Sequence, residues 1–231
     1  MSRAERELTT TSYAILGLLA IRPWSTYELA AQMRRNLHYF WPRAESNLYA
    51  EPKRLVEGGF ALAEAQPVGK RRRTVYSITS KGRKALEAWL GEPAAESRFE
   101  SETLVKFVLA PYSSKENLLA HLDRFLAEFE TKQDALRAIF REYLDGEDPF
   151  PERVHLNVAC YRFIWEYIKA GRSWAAWARD TVERWPDVST PGDRQALMNV
   201  FEEALAGDGA LPESAIQVSG AGGRQLARKA R

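Results

Sequence analysis

Between Gly69 and Leu86 the sequence GKRRRTVYSITSKGRKAL carries seven Lys or Arg side chains and no acid. Four of them, Lys70, Arg71, Arg72 and Arg73, are consecutive. Ammonium and guanidinium groups donate charge-assisted hydrogen bonds and accept none, so this density suits the grip of a polyanion. On DNA, each phosphate contact releases counterions and adds affinity without regard to sequence. A second group, Ser46, Asn47, Tyr49 and Lys53, consists of side chains able to hydrogen-bond base edges or phosphates. No catalytic constellation accompanies them. His155 and Cys160 are five apart, neither stacked on one helical face nor backed by an orienting group. His38, His121 and His155 give no metal-ligand spacing, and there is no glycine-rich phosphate loop. The sequence predicts no enzyme, no cofactor and no metal.

The charge is unevenly placed. Over the whole chain, 33 basic side chains face 31 acidic ones, a net of +2. Residues 1–92 hold 15 Lys or Arg and 9 Asp or Glu, a net of +6, and the remainder is net −4. Such asymmetry points to a polyanion partner for the first part. One cysteine in 231 residues excludes an internal disulfide and a cysteine-rich zinc site. The longest apolar run, Tyr13 to Ile21, is too short to span a bilayer, and the charged start lacks the apolar core of a signal peptide. A cytoplasmic protein without membrane contact is expected.

The basic stretch needs elements to hold it. Thr10-Thr11-Ser12 offers N-cap side chains before the apolar helix YAILGLLAI, in which Gly17 allows a close neighbour, and Pro23 stops it. Ser25 with Glu28 forms a capping box for a second helix to about Asn36, with Tyr27, Leu29, Ala30 and Met33 on or near its inner face. A third helix runs from about Glu45 to Glu57 and closes at Gly58-Gly59; Leu48, Pro52 and Leu55 mark its buried face. Phe60 to Pro67 reads as a strand, Val68 to Arg73 as a loop and Thr74 to Ile78 as the partner strand. Thr79 then caps a fourth helix to about Gly91. Three helices and a two-stranded hairpin are the order of a winged helix-turn-helix, whose third helix enters the major groove while the hairpin loop follows the backbone or minor groove. The basic run is then the tip of the wing.

The second part differs in kind. A linker at Pro93-Ala94-Ala95 leads to a short helix around Phe99 to Leu109. Ser113 with Glu116 then opens a long helix to about Leu144. Its apolar positions Leu118, Leu122, Phe125, Phe129, Leu136, Ile139 and Tyr143 step by fours and threes if Lys132 is the one polar member, the seam of a coiled coil. After a break at 146–151, a last long helix of about Glu152 to Trp185 carries Leu156, Cys160, Phe163, Tyr167, Trp174 and Trp177 near one stripe. Aromatics at helical spacing are more often core or interface than ligand box, and here they spread over several faces, which suggests packing within a protomer and against a second copy. The expected organisation is a DNA-binding domain at 1–92, a helical dimerisation and effector domain at 93–206, and a disordered basic tail at 207–231.

The stretches YAILGLLAIRPWSTYELA, FWPRAESNLYAEPKRLVEGGF and GKRRRTVYSITSKGRKAL resemble the N-terminal domain of PadR-like transcriptional regulators over about residues 12–90. The marks are Leu16-Gly17-Leu18-Leu19, Tyr27-Glu28-Leu29, Leu48-Tyr49, Lys53-Arg54-Leu55, Gly59, Tyr76-Ser77-Ile78-Thr79 and Gly82-Arg83. The resemblance implies a homodimer, usually a repressor, on a roughly palindromic operator, with small aromatic or hydrophobic compounds acting near the dimer interface. Two departures stand out. Pro52 replaces an apolar helix former, so the third helix is expected to bend or start late. Arg43-Ala44-Glu45 replaces small polar residues, so base contacts there do not carry over from relatives.

The candidate DNA-contacting residues are Tyr27, Arg43, Ser46, Asn47, Tyr49, Lys53, Lys70, Arg71, Arg72, Arg73, Tyr76 and Lys81. The candidate dimer interface is Leu118, Leu122, Phe125, Phe129, Leu136, Phe163, Tyr167 and Trp174, and the candidate effector residues are Trp89, Phe163, Trp165 and Tyr167. The expected partners are double-stranded DNA, a second copy of the chain and a small aromatic effector. A rival reading, a winged helix whose basic wing grips an acidic protein, shares the charge pattern.

Overall fold

The computed structural model describes residues 8–37, 39–41, 45–68, 71–190 and 193–206, with backbone alone at residues 36, 45–47, 68, 71 and 196. The fold is mainly α: a winged helix-turn-helix with a small antiparallel sheet, followed by long helices. The chain divides into two compact units, Met1–Arg98 and Phe99–Arg231.

In the first unit, helix α1 (Thr10–Ile21) is capped by Thr9, not by the three residues after it. The Thr9 backbone is extended, so its hydroxyl reaches the Ser12 N–H while the Ser12 hydroxyl accepts the Thr9 N–H in return. Ile15, Leu16 and Leu19 fill the core. Gly17 has open space where a Cβ would stand, so it admits no close neighbour. After Pro23 a two-residue strand β1 (Trp24–Ser25) forms, invisible in the sequence because two residues carry no period. Trp24 is buried, donates Nε1–H to the Leu18 carbonyl at 2.7 Å and carries the Arg22 guanidinium 3.4 Å above its ring.

Helix α2 (Thr26–Gln32) has the expected Ser25–Glu28 capping box and continues as a π-helical turn through Leu37. Leu29, Ala30 and Met33 point inward, but Tyr27 is 69% exposed: at the second helical position it lies off the stripe that Leu29 and Met33 define. Helix α3 (Glu45–Glu57) runs through Pro52 without interruption and starts where the sequence places it. The Pro52 ring is fully buried, so its apolar contacts act against the cost of the missing N–H. Gly59, at φ 74°, ends the helix. Phe60 N–H reaches back to the Leu55 carbonyl at 2.8 Å and Gly59 N–H to that of Val56 at 2.9 Å, the paired bonds of a Schellman turn.

Strands β2 (Ala61–Val68) and β3 (Arg71–Ile78) pair antiparallel from Ala61 opposite Ile78 to Val68 opposite Arg71. The expected loop is therefore mostly strand: Arg71, Arg72 and Arg73 oppose Val68, Pro67 and Gln66. Three residues that read as part of a charged loop thus lie on a ladder. β1 pairs with the other edge of β3, Trp24 opposite Tyr76, to give the order β1-β3-β2. Thr79 caps α4 (Ser80–Leu90) and ties it to the end of α3, its hydroxyl donating to the Gly59 carbonyl at 2.8 Å and its N–H to that of Phe60 at 3.1 Å.

In the second unit, α5 (Glu102–Val108) precedes the long helices α6 (Lys115–Leu144) and α7 (Val154–Arg184), and α8 (Arg194–Ala206) follows. Ser114, rather than Ser113, caps α6; the Ser113 hydroxyl instead accepts from the Asn117 side chain. α6 and α7 run antiparallel: Leu118 and Leu122 share a core cluster with Ala178 and Val182, Phe129 meets Tyr167, and Phe140 meets Tyr161. Lys115 Nζ donates to the last carbonyls of α7, Glu183 at 2.7 Å and Trp185 at 2.6 Å. The polar member of the seam is Gln133, buried and bonded to Arg172 at 2.6 Å, while Lys132 turns outward to Glu128. A helix of 3.6 residues per turn drifts from a strict 3.5 repeat, which carries the seam one residue on by this point. At Gly171 of α7 a Cβ would lie 2.2 Å from the Phe129 ring of α6.

Candidate nucleic-acid interface

Helix α3 positions the first part of the site. At about 100° per residue, its buried side is Leu48, Glu51, Pro52 and Leu55, and Ala50, Lys53 and Glu57 lie opposite, all exposed. Tyr49 and Arg54 flank that outward stripe on its two sides, 39% exposed and exposed respectively. Ser46 and Asn47 sit on the first turn of the same helix. Arg43 and Lys70 lie outside the described residues.

The wing supplies the second part. Arg72 and Arg73 are exposed at the far end of β3. Arg73 Nη1 lies 3.9 Å from Glu28 Oε1, so the wing arginine is drawn partly toward α2. Two of the expected contact residues are engaged within the protein there. Tyr76 is 3% exposed, because its place opposite both Trp24 and Ala63 puts it in the middle of the sheet and inside the core. Lys81 is bound locally, its Nζ donating to the Gly58 carbonyl at 2.9 Å and standing 4.3 Å over the Phe60 ring. Tyr27, by contrast, is open to a partner on α2.

Glu28 joins cap and wing. The Ser25 hydroxyl and Ser25 N–H donate to its carboxylate at 2.6 and 2.8 Å, and these bonds, with smaller help from the Arg73 and Arg22 charges, hold its pKa below the ordinary carboxylate value. A depressed carboxylate stabilises the fold above its unfolded pKa, and that stability is lost as pH falls through the lower folded value. Glu28→Gln is therefore expected to lower the thermal midpoint near pH 7 and to leave a smaller further drop between about pH 5 and 3 than the wild type shows. A melting series across that range checks it; parallel acid limbs would contradict the assignment.

In the second unit, the expected seam residues Leu118, Leu122, Phe129 and Leu136 are buried under α7 within one chain, with Phe125 partly so. They do not need a second copy to be kept from water, because α7 covers the whole length of α6. Phe163 is 70% exposed and Tyr167 half-buried between Phe129 and Phe99. Trp165 packs on Phe140, and Trp89 belongs to the first unit, stacked on Tyr13 at 4.6 Å. Phe163 and Tyr167, four apart on α7, share a face, while Trp165 lies on the opposite side, so the three form no common pocket. An open cavity of about 410 Å³ lies elsewhere, walled by Phe107, Val108, Trp174, Trp177, Trp185 and Leu197 from α5, α7, α8 and the turn after α7. α8 contributes Leu197 to this cavity, a contact that nothing local in the sequence announces.

Among the described residues, no group of three or more His, Cys, Asp or Glu could hold a metal, and no helix is long and apolar enough to cross a membrane. A profile of the transcriptional regulator PadR-like family matches residues 15–88, the span from α1 through the wing into α4. Over that span the first unit is similar to PadR-like transcriptional regulators. The chain is 26% identical over 140 residues to the negative transcriptional regulator PadR of Bacillus subtilis, spanning 59% of this chain and 76% of the relative. Its fold is similar to Bacillus subtilis PadR solved with operator DNA, at a TM-score of 0.63 and 21% identity, over 75% of this chain and 99% of the other. It is also similar to the same regulator solved with p-coumaric acid, at a TM-score of 0.56 and 22% identity, over 79% and 100% of the two chains. The PadR-like family consists of transcriptional regulators, not enzymes.

Proposed function

We propose that this PadR-like chain is a homodimeric repressor that sets α3 in the major groove of a pseudo-palindromic operator and lays the wing on the flanking backbone. The carrying observation is the shared exposure of Lys53 on the outward stripe of α3 and of Arg72 and Arg73 on the wing, in a part of the chain with a net charge of +6. Bacillus subtilis PadR, solved with operator DNA and named a negative regulator, supports the reading. Ser46, Asn47 and Lys53 would read bases, and Tyr49 would reach a phosphate. Footprinting on the DNA flanking the gene tests it: a protected dyad with half-sites about one helical turn apart, or a multiple, is the expected result. Equal, weak binding to every duplex would overturn the repressor reading.

The partner copy would meet the second unit where apolar side chains stay in water: Val105, Val108 and Tyr112 of α5 and its following turn, and Phe201 and Leu205 of α8, all more than half exposed. Such a patch is what monomers avoid and symmetric interfaces use. Light scattering of the full chain should give a dimer, and Val108→Glu with Leu205→Glu should shift it toward monomer at micromolar concentration. A wild-type monomer under the same conditions would sink the palindrome as well.

An aromatic effector would enter the tryptophan-walled cavity of the second unit, whose apolar lining suits a ring. Titration with p-coumaric acid, the compound bound in the solved relative, is the direct check: quenching of tryptophan fluorescence that Trp177→Ala abolishes is expected.

A further inference from the structure

Glu51 is a carboxylate inside the first unit, 7% exposed, on the helix proposed to meet DNA. Its Oε1 accepts the Ser12 hydroxyl at 2.5 Å and its Oε2 accepts Arg54 Nη1 at 3.2 Å. Ser12 is 1% exposed and is itself held in the α1 cap by Thr9. One chain of hydrogen bonds thus runs from the start of α1, through the core, to the flank of α3. A buried charge is costly unless paired, and an apolar residue of similar size would fill the space at less cost. The carboxylate does something an apolar residue could not: it fixes the direction of the Arg54 side chain.

Arg54 keeps half of its surface, 52% of the side chain, in solvent. One guanidinium nitrogen bonds to Glu51; Nε and Nη2 have no protein partner among the described residues. Its place on α3 is about 100° from Lys53, on the opposite flank from Tyr49. A helix with its side chains is about 10–12 Å across and the major groove about 12 Å wide, so flanking side chains face the phosphate walls rather than the base edges. Guanidinium groups match phosphate oxygens through parallel N–H bonds, and this one is held in place before the encounter.

We infer that Arg54 is a phosphate clamp on one wall of the groove, and that buried Glu51, anchored by Ser12, is the residue that positions it. This rests on the proposal that α3 enters the major groove and adds a contact that the basic wing does not provide. Glu51 does not touch the nucleic acid; it acts through Arg54.

The test is fluorescence anisotropy of the full chain on a random-sequence duplex and on a footprinted site, from about 50 to 300 mM salt. Arg54→Ala should weaken both by about five- to tenfold near 0.15 M and make the slope of log affinity against log salt shallower by about 0.9, one phosphate contact. Arg54→Lys should restore the slope and part of the affinity, since it keeps the charge and loses the fork. Glu51→Gln, which preserves shape and the Ser12 bond, should weaken binding two- to threefold with the slope unchanged. Should Arg54→Ala fail to fold, the pair Glu51→Gln with Arg54→Gln removes both charges together and should show the same shallower slope. A wild-type slope in either Arg54 variant lacking the charge, with only the melting midpoint lowered, would mean that Arg54 merely neutralises Glu51, and the inference falls. A wild type that binds neither duplex at low salt would sink the DNA reading itself, and the clamp with it.

Discussion

Gly82→Val is expected to unfold the first unit at physiological temperature and to abolish DNA binding while the helices of the second unit persist. A Cβ at this position would lie 2.2 Å from the Phe60 carbonyl oxygen, 2.9 Å from Ile78 Cγ1 and 3.2 Å from Leu16 Cδ2. The first of these is backbone, and it is not free to retreat. The Phe60 carbonyl accepts the Thr79 N–H at 3.1 Å, and the Phe60 N–H is tied to Leu55 in the turn that ends α3. Moving it means opening the junction of α3, the wing and α4 together. Overpacking that forces backbone shifts costs about 1–3 kcal/mol and more where the neighbour is rigid, so a branched side chain here should exceed 3 kcal/mol. Gly82→Ala should fall between. Circular dichroism melts give the measurement: two transitions, of which only the first moves. A wild-type first transition in the valine variant would refute this account.

Replacing Arg71, Arg72 and Arg73 together with alanine should reduce affinity for operator and random DNA alike, on the order of a hundredfold near 0.15 M salt. Each lost phosphate contact should make the salt slope shallower by about 0.9. The three should not contribute equally. Arg73 stands 3.9 Å from Glu28, so part of its charge is already answered inside the protein and its single replacement should matter least. An unchanged slope in the triple variant would mean the wing does not meet the backbone, and a loss confined to the operator would make these residues base readers instead.

Local chemistry explains which parts could be read from the sequence. The Ser25–Glu28 box, the Gly58-Gly59 stop and the inward set Leu48, Pro52 and Leu55 each rest on residues within about two helical turns, and each appears as the sequence implies. Alternation from Thr74 to Ile78 gave the core of β3 but not its extension, since arginines carry no period. What was missed depends on distance along the chain. Nothing near Tyr76 announces that β1 would close over it. Pro52 is the reverse case: a local rule against proline in a helix interior gives way to a buried site that accepts its ring. The site was legible as a charge, and its limits were not; only the pairing of Arg54 with Glu51 and the burial of Tyr76 draw them.

The brevity of β1 has a further consequence. It pairs with β3 only at Val75 and Tyr76, so among the described residues the outer edge of β3 toward the tip has no strand partner and could take on a strand from another molecule. β2 forms the opposite edge and carries Glu64 and Pro67, which blunt that side. On the β3 side the charges of Arg72 and Arg73 repel a like strand. The side chains proposed to hold phosphates would therefore also guard against aggregation, and a protein stripped of them should first lose its solubility at high concentration in the absence of nucleic acid.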